Sequence, residues 1–153
     1  MNLSLCHFFI AVHDPDDALA FYRDALGLKV RNDREVGGLR WVTLSPPSQP
    51  EIEIVLTETH AGRPEEDGDA LLVLLTKGSL NGVVFRTDDL DTAFEKIRAT
   101  GAEVLQEPAD QHWGVRECAF RDPSGNMVRL SQPPVDQTSF TGLPGASVTP
   151  SGP

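Results

Sequence analysis

His112-Trp113-Gly114-Val115-Arg116-Glu117-Cys118-Ala119-Phe120-Arg121-Asp122-Pro123-Ser124-Gly125-Asn126-Met127-Val128-Arg129-Leu130 reads as an aromatic-glycine lip, a strand, a tight turn and a second strand. Asp122-Pro123-Ser124-Gly125 is the turn, because proline presets one backbone angle and glycine accepts angles that other residues avoid. Val115 to Arg121 and Asn126 to Ser131 are the flanking strands. Strand alternation puts Val128 and Leu130 on one face, Arg129 and Ser131 on the other.

Reading back from this hairpin reveals a larger unit. Val83 to Arg86 is a strand. Asp88-Asp89-Leu90-Asp91 then starts a helix carrying Ala93, Phe94, Ile97 and Ala99, Gly101 ends it, and Glu103 to Leu105 opens another strand. The first half of the chain has the same order. A strand from Leu5 to Val12 is followed by His13-Asp14-Pro15-Asp16 and by a helix from about Asp16 to Ala25 with apolar Ala18, Leu19, Phe21, Tyr22 and Leu26. Gly27 ends that helix. Leu28 to Arg31, Arg40 to Leu44 and Glu51 to Leu56 follow as strands, the last two separated by the turn segment Ser45-Pro46-Pro47-Ser48-Gln49-Pro50. Asp17 and Asp91, Gly27 and Gly101, and Val30 and Val104 each lie 74 positions apart. The chain is thus two βαβββ modules, about residues 4–57 and 81–132, in one α+β domain spanning 1–132. One helix on a four-stranded sheet cannot close a core alone, so the modules are expected to pair.

Residues 58–80 connect the modules. Ala61 to Asp69 reads as an exposed loop whose acidic run Glu65-Glu66-Asp67 is solvated, and Ala70 to Thr76 reads equally as a short helix or a buried strand. Residues 133–153, rich in Pro, Gly, Ser and Thr, are expected to be a disordered tail. The formal net charge of -10 opposes nucleic acid as a partner, since phosphate binding needs a basic surface, and is compatible with a cationic ligand. No apolar run approaches the roughly 18 to 20 residues that span a bilayer, so no membrane partner is expected. Met1 to His7 lacks the basic leader of a secretory signal, which favours a cytoplasmic protein. Cys6 and Cys118 show no metal-ribbon or redox spacing and are expected to be reduced thiols.

Two stretches carry a family resemblance. Asp14-Pro15-Asp16-Asp17-Ala18-Leu19-Ala20-Phe21-Tyr22-Arg23-Asp24-Ala25-Leu26-Gly27-Leu28 resembles the helix-to-glycine signature of the vicinal oxygen chelate superfamily, which includes glyoxalase I, bleomycin-resistance proteins and extradiol dioxygenases. Trp113-Gly114-Val115-Arg116-Glu117 with Arg121-Asp122-Pro123-Ser124-Gly125-Asn126 is most similar to the bleomycin-resistance branch. The resemblance covers about residues 4–132. It implies two paired βαβββ modules forming a curved mixed sheet around a cleft, and a homodimer. In metal-using members, four inward side chains bind one divalent ion.

By this resemblance His7 fits the first ligand and Glu53 the second, although Glu51 would share the face of Glu53. The third position falls at Asn81 or Gly82, neither of them a histidine or glutamate. The fourth is Arg129, whose fixed positive charge cannot coordinate a cation. An ordinary Zn or Ni site needs at least three protein ligands, so no metal or other cofactor is favoured.

The remaining candidates line a ligand site. His7 could face the cleft as a contact or general base. Phe9 shares its face, whereas Trp41 and the other phenylalanines read mostly as core. Arg129 needs a partner if buried, and Glu53 is the obvious one. It could otherwise clamp a ligand carboxylate or phosphate. Trp113, with His112 before it, could stack on a planar or cationic ligand, and of the neighbours Arg116 and Glu117, Arg116 is favoured as the inward or rim residue. The leading expectation is a metal-free small-molecule binding protein of the bleomycin-resistance type, taking an aromatic or cationic compound. The alternative is a metal-dependent lyase or isomerase of the glyoxalase type, or a dioxygenase, using His7, Glu53 and a further ligand such as Gln111 or His112 with Zn, Ni or Fe. A narrower variant is a metal-free enzyme with His7 as base and Arg129 holding an enolate or carboxylate. A purely accessory dimeric protein is a third reading.

Overall fold

The computed structural model describes residues 1–134, so the expected tail lies, beyond Pro134, outside the described residues. Two four-stranded mixed sheets carry the fold. The first contains β1 (His7–Val12), β2 (Lys29–Val36), β3 (Leu39–Ser45) and β4 (Glu53–Glu58) in the order β1-β4-β3-β2. The second contains β5 (Val83–Arg86), β6 (Glu103–Asp110), β7 (Arg116–Arg121) and β8 (Met127–Gln132) in the order β5-β8-β7-β6. In each, the first strand runs parallel to the fourth, as a βαβ crossover requires. The chain divides into two compact units. One is Met1–Gly82 with the turn segment Arg121–Met127, and the other is Val83–Phe120 with the chain from Val128.

In the first unit, Asp14 caps α1 (Pro15–Leu19) by accepting from the Asp16 amide at 2.8 Å, and Pro15 takes the first turn, where no amide is needed. The expected single α-helix differs from what forms. Ala20–Ala25 is π-helical, with Leu26 N–H donating to the Phe21 carbonyl at 2.9 Å. The wider turn buries the neighbours Phe21 and Tyr22 together. Ile10, Val12, Val42, Leu44, Ile54 and Leu56 form the buried face of the sheet.

Tyr22 makes a second connection inside this unit. Its hydroxyl donates to Asp122 Oδ2 at 2.6 Å, while Asp122 Oδ1 accepts from the amides of Ser124, Gly125 and Asn126 at 2.8–2.9 Å. The Asp-Pro-Ser-Gly turn read from the sequence is therefore a closed hydrogen-bond nest around one buried carboxylate.

The connector contains a helix, α2 (Glu65–Thr76), which settles the open choice for Ala70 to Thr76 and corrects the loop expected through Asp69. Glu65, Glu66 and Asp67 occupy its first turn, where carboxylates complement the exposed amides of a helix start. His60 Nε2 donates to Asp69 Oδ1 at 2.8 Å, and the His60 ring occupies the space that a Cβ at Gly68 would need.

In the second unit, Asp89 caps α3 (Leu90–Arg98) through the Thr92 amide at 3.2 Å. Phe94 and Ile97 of that helix and Cys118, Phe120, Val128 and Leu130 of the sheet are buried, with the Phe94 and Phe120 rings 5.3 Å apart.

The repeat extends to surface ion pairs. Arg40 on β3 bridges Asp16 in the first turn of α1 (2.8 Å) and Asp33 on β2 (3.0 Å). Arg116 on β7 bridges Asp91 in the first turn of α3 (2.9 Å) and Asp110 on β6 (3.1 Å). Each sheet is thereby stapled to its own helix at the same place.

Candidate functional site

The open face of the first sheet is set by strand register. His7 pairs with Glu53, Phe9 with Val55 and Ala11 with Thr57 across β1 and β4, so these side chains share one face. Thr43, opposite Val55 on β3, and Asn32 and Arg34, opposite Thr43 and Trp41 on β2, join it. Alternating residues feed the core, which explains why a strand as apolar as His7–Val12 leaves Phe9 57% exposed.

Glu53 is the best-organised group on this face. Its Oε1 accepts from the Thr43 hydroxyl at 2.6 Å and from the Asn32 amide at 3.1 Å. Its Oε2 faces His7 Nε2 at 3.6 Å, beyond hydrogen-bond length, with the two side chains 25% and 40% exposed. The Thr43 hydrogen bond, helped by the His7 and Arg31 charges and the Asn32 amide against the opposing effect of desolvation, holds the Glu53 carboxyl below the usual carboxylate range. His7 Nδ1 lies 3.3 Å from the exposed Cys6 sulfur. Beside this polar group the Phe9 ring meets Trp41 edge-on, with centroids 6.4 Å apart. Trp41 is half-buried on the open face and not a core residue as the sequence suggested. The signal available was its place in alternation with buried Val42 and Leu44.

The open face of the second sheet carries Val84 and Arg86 of β5 opposite Arg129 and Ser131 of β8. Arg129 is 41% exposed on this face. Within its own unit Arg129 has a partner that the sequence did not suggest, Glu117, whose carboxylate, 6% exposed, lies 3.8 Å from Arg129 Nε. Of the neighbours Arg116 and Glu117, the buried one is Glu117, a residue that sequence reasoning did not select. Arg116 is drawn outward by its two aspartates, which raise the guanidinium further above its ordinary value. It still lines a cavity of about 250 Å³ with Gln111, Gly114, Val115, Gln132 and the two prolines that follow. At the lip, exposed His112 packs edge-on against Trp113 at 4.7 Å, and the buried Trp113 Nε1 has no hydrogen-bond partner among the described residues.

The donor set for a metal is short. Val84 pairs with Arg129, and Gly82, one of the two candidates for the third ligand position, lies two residues before Val84, just ahead of β5. A Cβ at Gly82 would run into the Met127 carbonyl, which leaves no room for a ligating side chain there. Among the described residues no group of three or more His, Cys, Asp or Glu is placed to hold an ion. His7 and Glu53 alone do not make the three-ligand set that a Zn or Ni centre needs.

Comparison with known proteins places this architecture. The chain is similar to the crystal structure of UcmS2, with 37% identity, a TM-score of 0.80 and coverage of 86% of this chain and 98% of that one. It is also similar to TnmS3, described as an antibiotic binding protein from Streptomyces sp. CB03234, with 29% identity, a TM-score of 0.69 and coverage of 88% and 99%. A Vibrio cholerae protein named "Probable lactoylglutathione lyase" is 25% identical, over 94% of this chain and 99% of its own length. The family model described as Glyoxalase/Bleomycin resistance protein/Dioxygenase superfamily matches residues 4–130, in accord with the two βαβββ sheets, and the chain belongs to that superfamily.

Proposed function

We propose that this protein binds a small aromatic or cationic molecule without a metal, in the manner of the bleomycin-resistance branch. The observation that carries this reading is the exposed Phe9 ring set edge-on to Trp41 on an open sheet face. An exposed aromatic pair offers apolar area to a planar ligand at little entropic cost, since both rings are already held by strands. The likeness to TnmS3, described as an antibiotic binding protein, supports binding of a small molecule. On the second unit, taken by itself, His112, Trp113 and Arg129 are candidate contacts, with Arg116 as a rim residue. The same reading has the chain acting in the cytoplasm as a homodimer, which light scattering on purified protein would test.

Calorimetric titration with bleomycin and with a series of flat aromatics checks the proposal. Heat of binding and a rise in melting temperature are expected for at least one flat aromatic. Absence of both across the series sinks the reading. A second reading, a metal-dependent lyase, isomerase or dioxygenase using His7 and Glu53, draws support from the resemblance to lactoylglutathione lyases. Elemental analysis of protein purified without chelator decides between them. About one Ni, Zn or Fe per chain would favour the enzyme.

A further inference from the structure

We infer that the site on the first sheet selects a positively charged aromatic, with the cationic N–H of the ligand on Glu53 Oε2 and its ring against Phe9 and Trp41. The inference rests on the binding reading above and adds that ring and positive charge belong to one ligand, and which residue recognises the charge.

The two oxygens of Glu53 are not equivalent. Oε1 is engaged by Thr43 at 2.6 Å and Asn32 at 3.1 Å, which fix the carboxylate plane on the sheet. Oε2 points to the open side, where His7 stops at 3.6 Å, so a carboxylate with several acceptor sites has capacity left there. A carboxylate anchored through one oxygen presents the other without having to be reoriented when a ligand arrives, which removes one cost of binding. A partly exposed carboxylate of this kind carries its charge at neutral pH. Glu53 pairs with His7, and Phe9 lies two residues further along the same strand and face as His7, so an acceptor and an aromatic wall adjoin. Of the cations near this face, Arg34 stands opposite Trp41 and Lys29 opposite Ser45 on β2, at the other edge of the sheet from His7, while Arg31, whose charge Glu53 feels, donates to the Pro50 carbonyl. The aromatic faces of Phe9 and Trp41 attract a cation as well as a ring. The overall charge of -10 acts in the same direction at long range.

The test uses three planar probes of one shape: 9-aminoacridine, a cation at neutral pH; acridine, mostly neutral at pH 7.5; and acridine-9-carboxylate, an anion. Affinities are measured by fluorescence titration on the full chain and on Glu53→Gln, which keeps an acceptor for Thr43. The wild-type protein is expected to bind the cation at least about ten-fold more tightly than acridine, and the anion most weakly, in line with one partly shielded charge contact. E53Q is expected to lower cation affinity about ten-fold and to leave acridine within about two-fold. If cation and neutral probe bind the wild type equally, the charge inference falls and aromatic binding stands. If the cation is preferred and E53Q keeps that preference, Glu53 is not the recognising residue and the inference is overturned. If no probe binds either protein, both the inference and the reading beneath it fail. The wild-type comparison reads charge selection even if E53Q is poorly folded.

Discussion

At the residue scale, Asp122 shows how much one side chain can organise. Its two oxygens accept from three backbone amides, the Tyr22 hydroxyl and the Asn126 amide. Burial, and then the adjacent Asp122, pushes the Tyr22 phenol far above its ordinary value, so the hydroxyl remains a donor throughout the accessible pH range. Tyr22→Phe is expected to cost about 1–2 kcal/mol in urea denaturation, the worth of one buried hydrogen bond to a charge. Asp122→Ala is expected to cost more, about 3 kcal/mol, since it strands several donors at once. The two cysteines differ for a related reason. Cys6 is exposed, whereas burial pushes the Cys118 thiol up to about 11. Iodoacetamide at pH 8 should label Cys6 in the native protein and Cys118 only after denaturation, as peptide mass analysis would read. The raised value also gives a sign. The stabilisation from the protonated Cys118 thiol is full below the ordinary thiol value, about 8.5, and is lost as pH rises toward about 11. A stability profile that stays flat through that alkaline window in wild type and declines in Cys118→Ala would contradict it.

At the element scale, the modules repeat a device that no motif announces. Arg40 and Arg116 each tie the first turn of a helix to the second strand of its own sheet. Arg116 was legible as a motif residue, but its partner on α3 is 25 residues away and only the folded sheet brings them together. Arg40→Met and Arg116→Met are each expected to lower the melting temperature slightly in low salt and much less in high salt, because exposed pairs are weak and screened. A salt-insensitive loss would assign the effect to packing. Gly82 belongs to this scale as well, since its missing side chain admits the Met127 carbonyl. Gly82→Ala should therefore destabilise strongly, by more than about 2 kcal/mol, while a similar change on an exposed turn would not. Gly82→His, placing a donor type at one of the two candidate third-ligand positions, should fail to raise the metal content of the purified protein. The helix and strand periods were readable because they record which face meets the core. The π-helical turn at Ala20–Ala25 was not, since no residue type marks it and the adjacent apolar pair Phe21 and Tyr22 also fits an ordinary buried helix face.

At the scale of the whole molecule, the acidic balance predicts that binding of a cationic aromatic weakens as ionic strength rises, while binding of a neutral one changes little, measured by titration at low and high salt. Among the described residues no helix is long and apolar enough to cross a membrane. The sequence by itself determined the two βαβββ modules, the turn at Asp122 and the unsuitability of Arg129 as a ligand. Periodicity, turn chemistry and the fixed charge of a guanidinium are local properties that need no folding to be read. Only the tertiary structure decided that Glu117 accompanies Arg129, that Glu53 is anchored by Thr43 and Asn32, and that Trp41 stands on the open face against Phe9. Each of these depends on which strands become neighbours and in what register, and a partner on another strand leaves no mark at a fixed spacing along the chain.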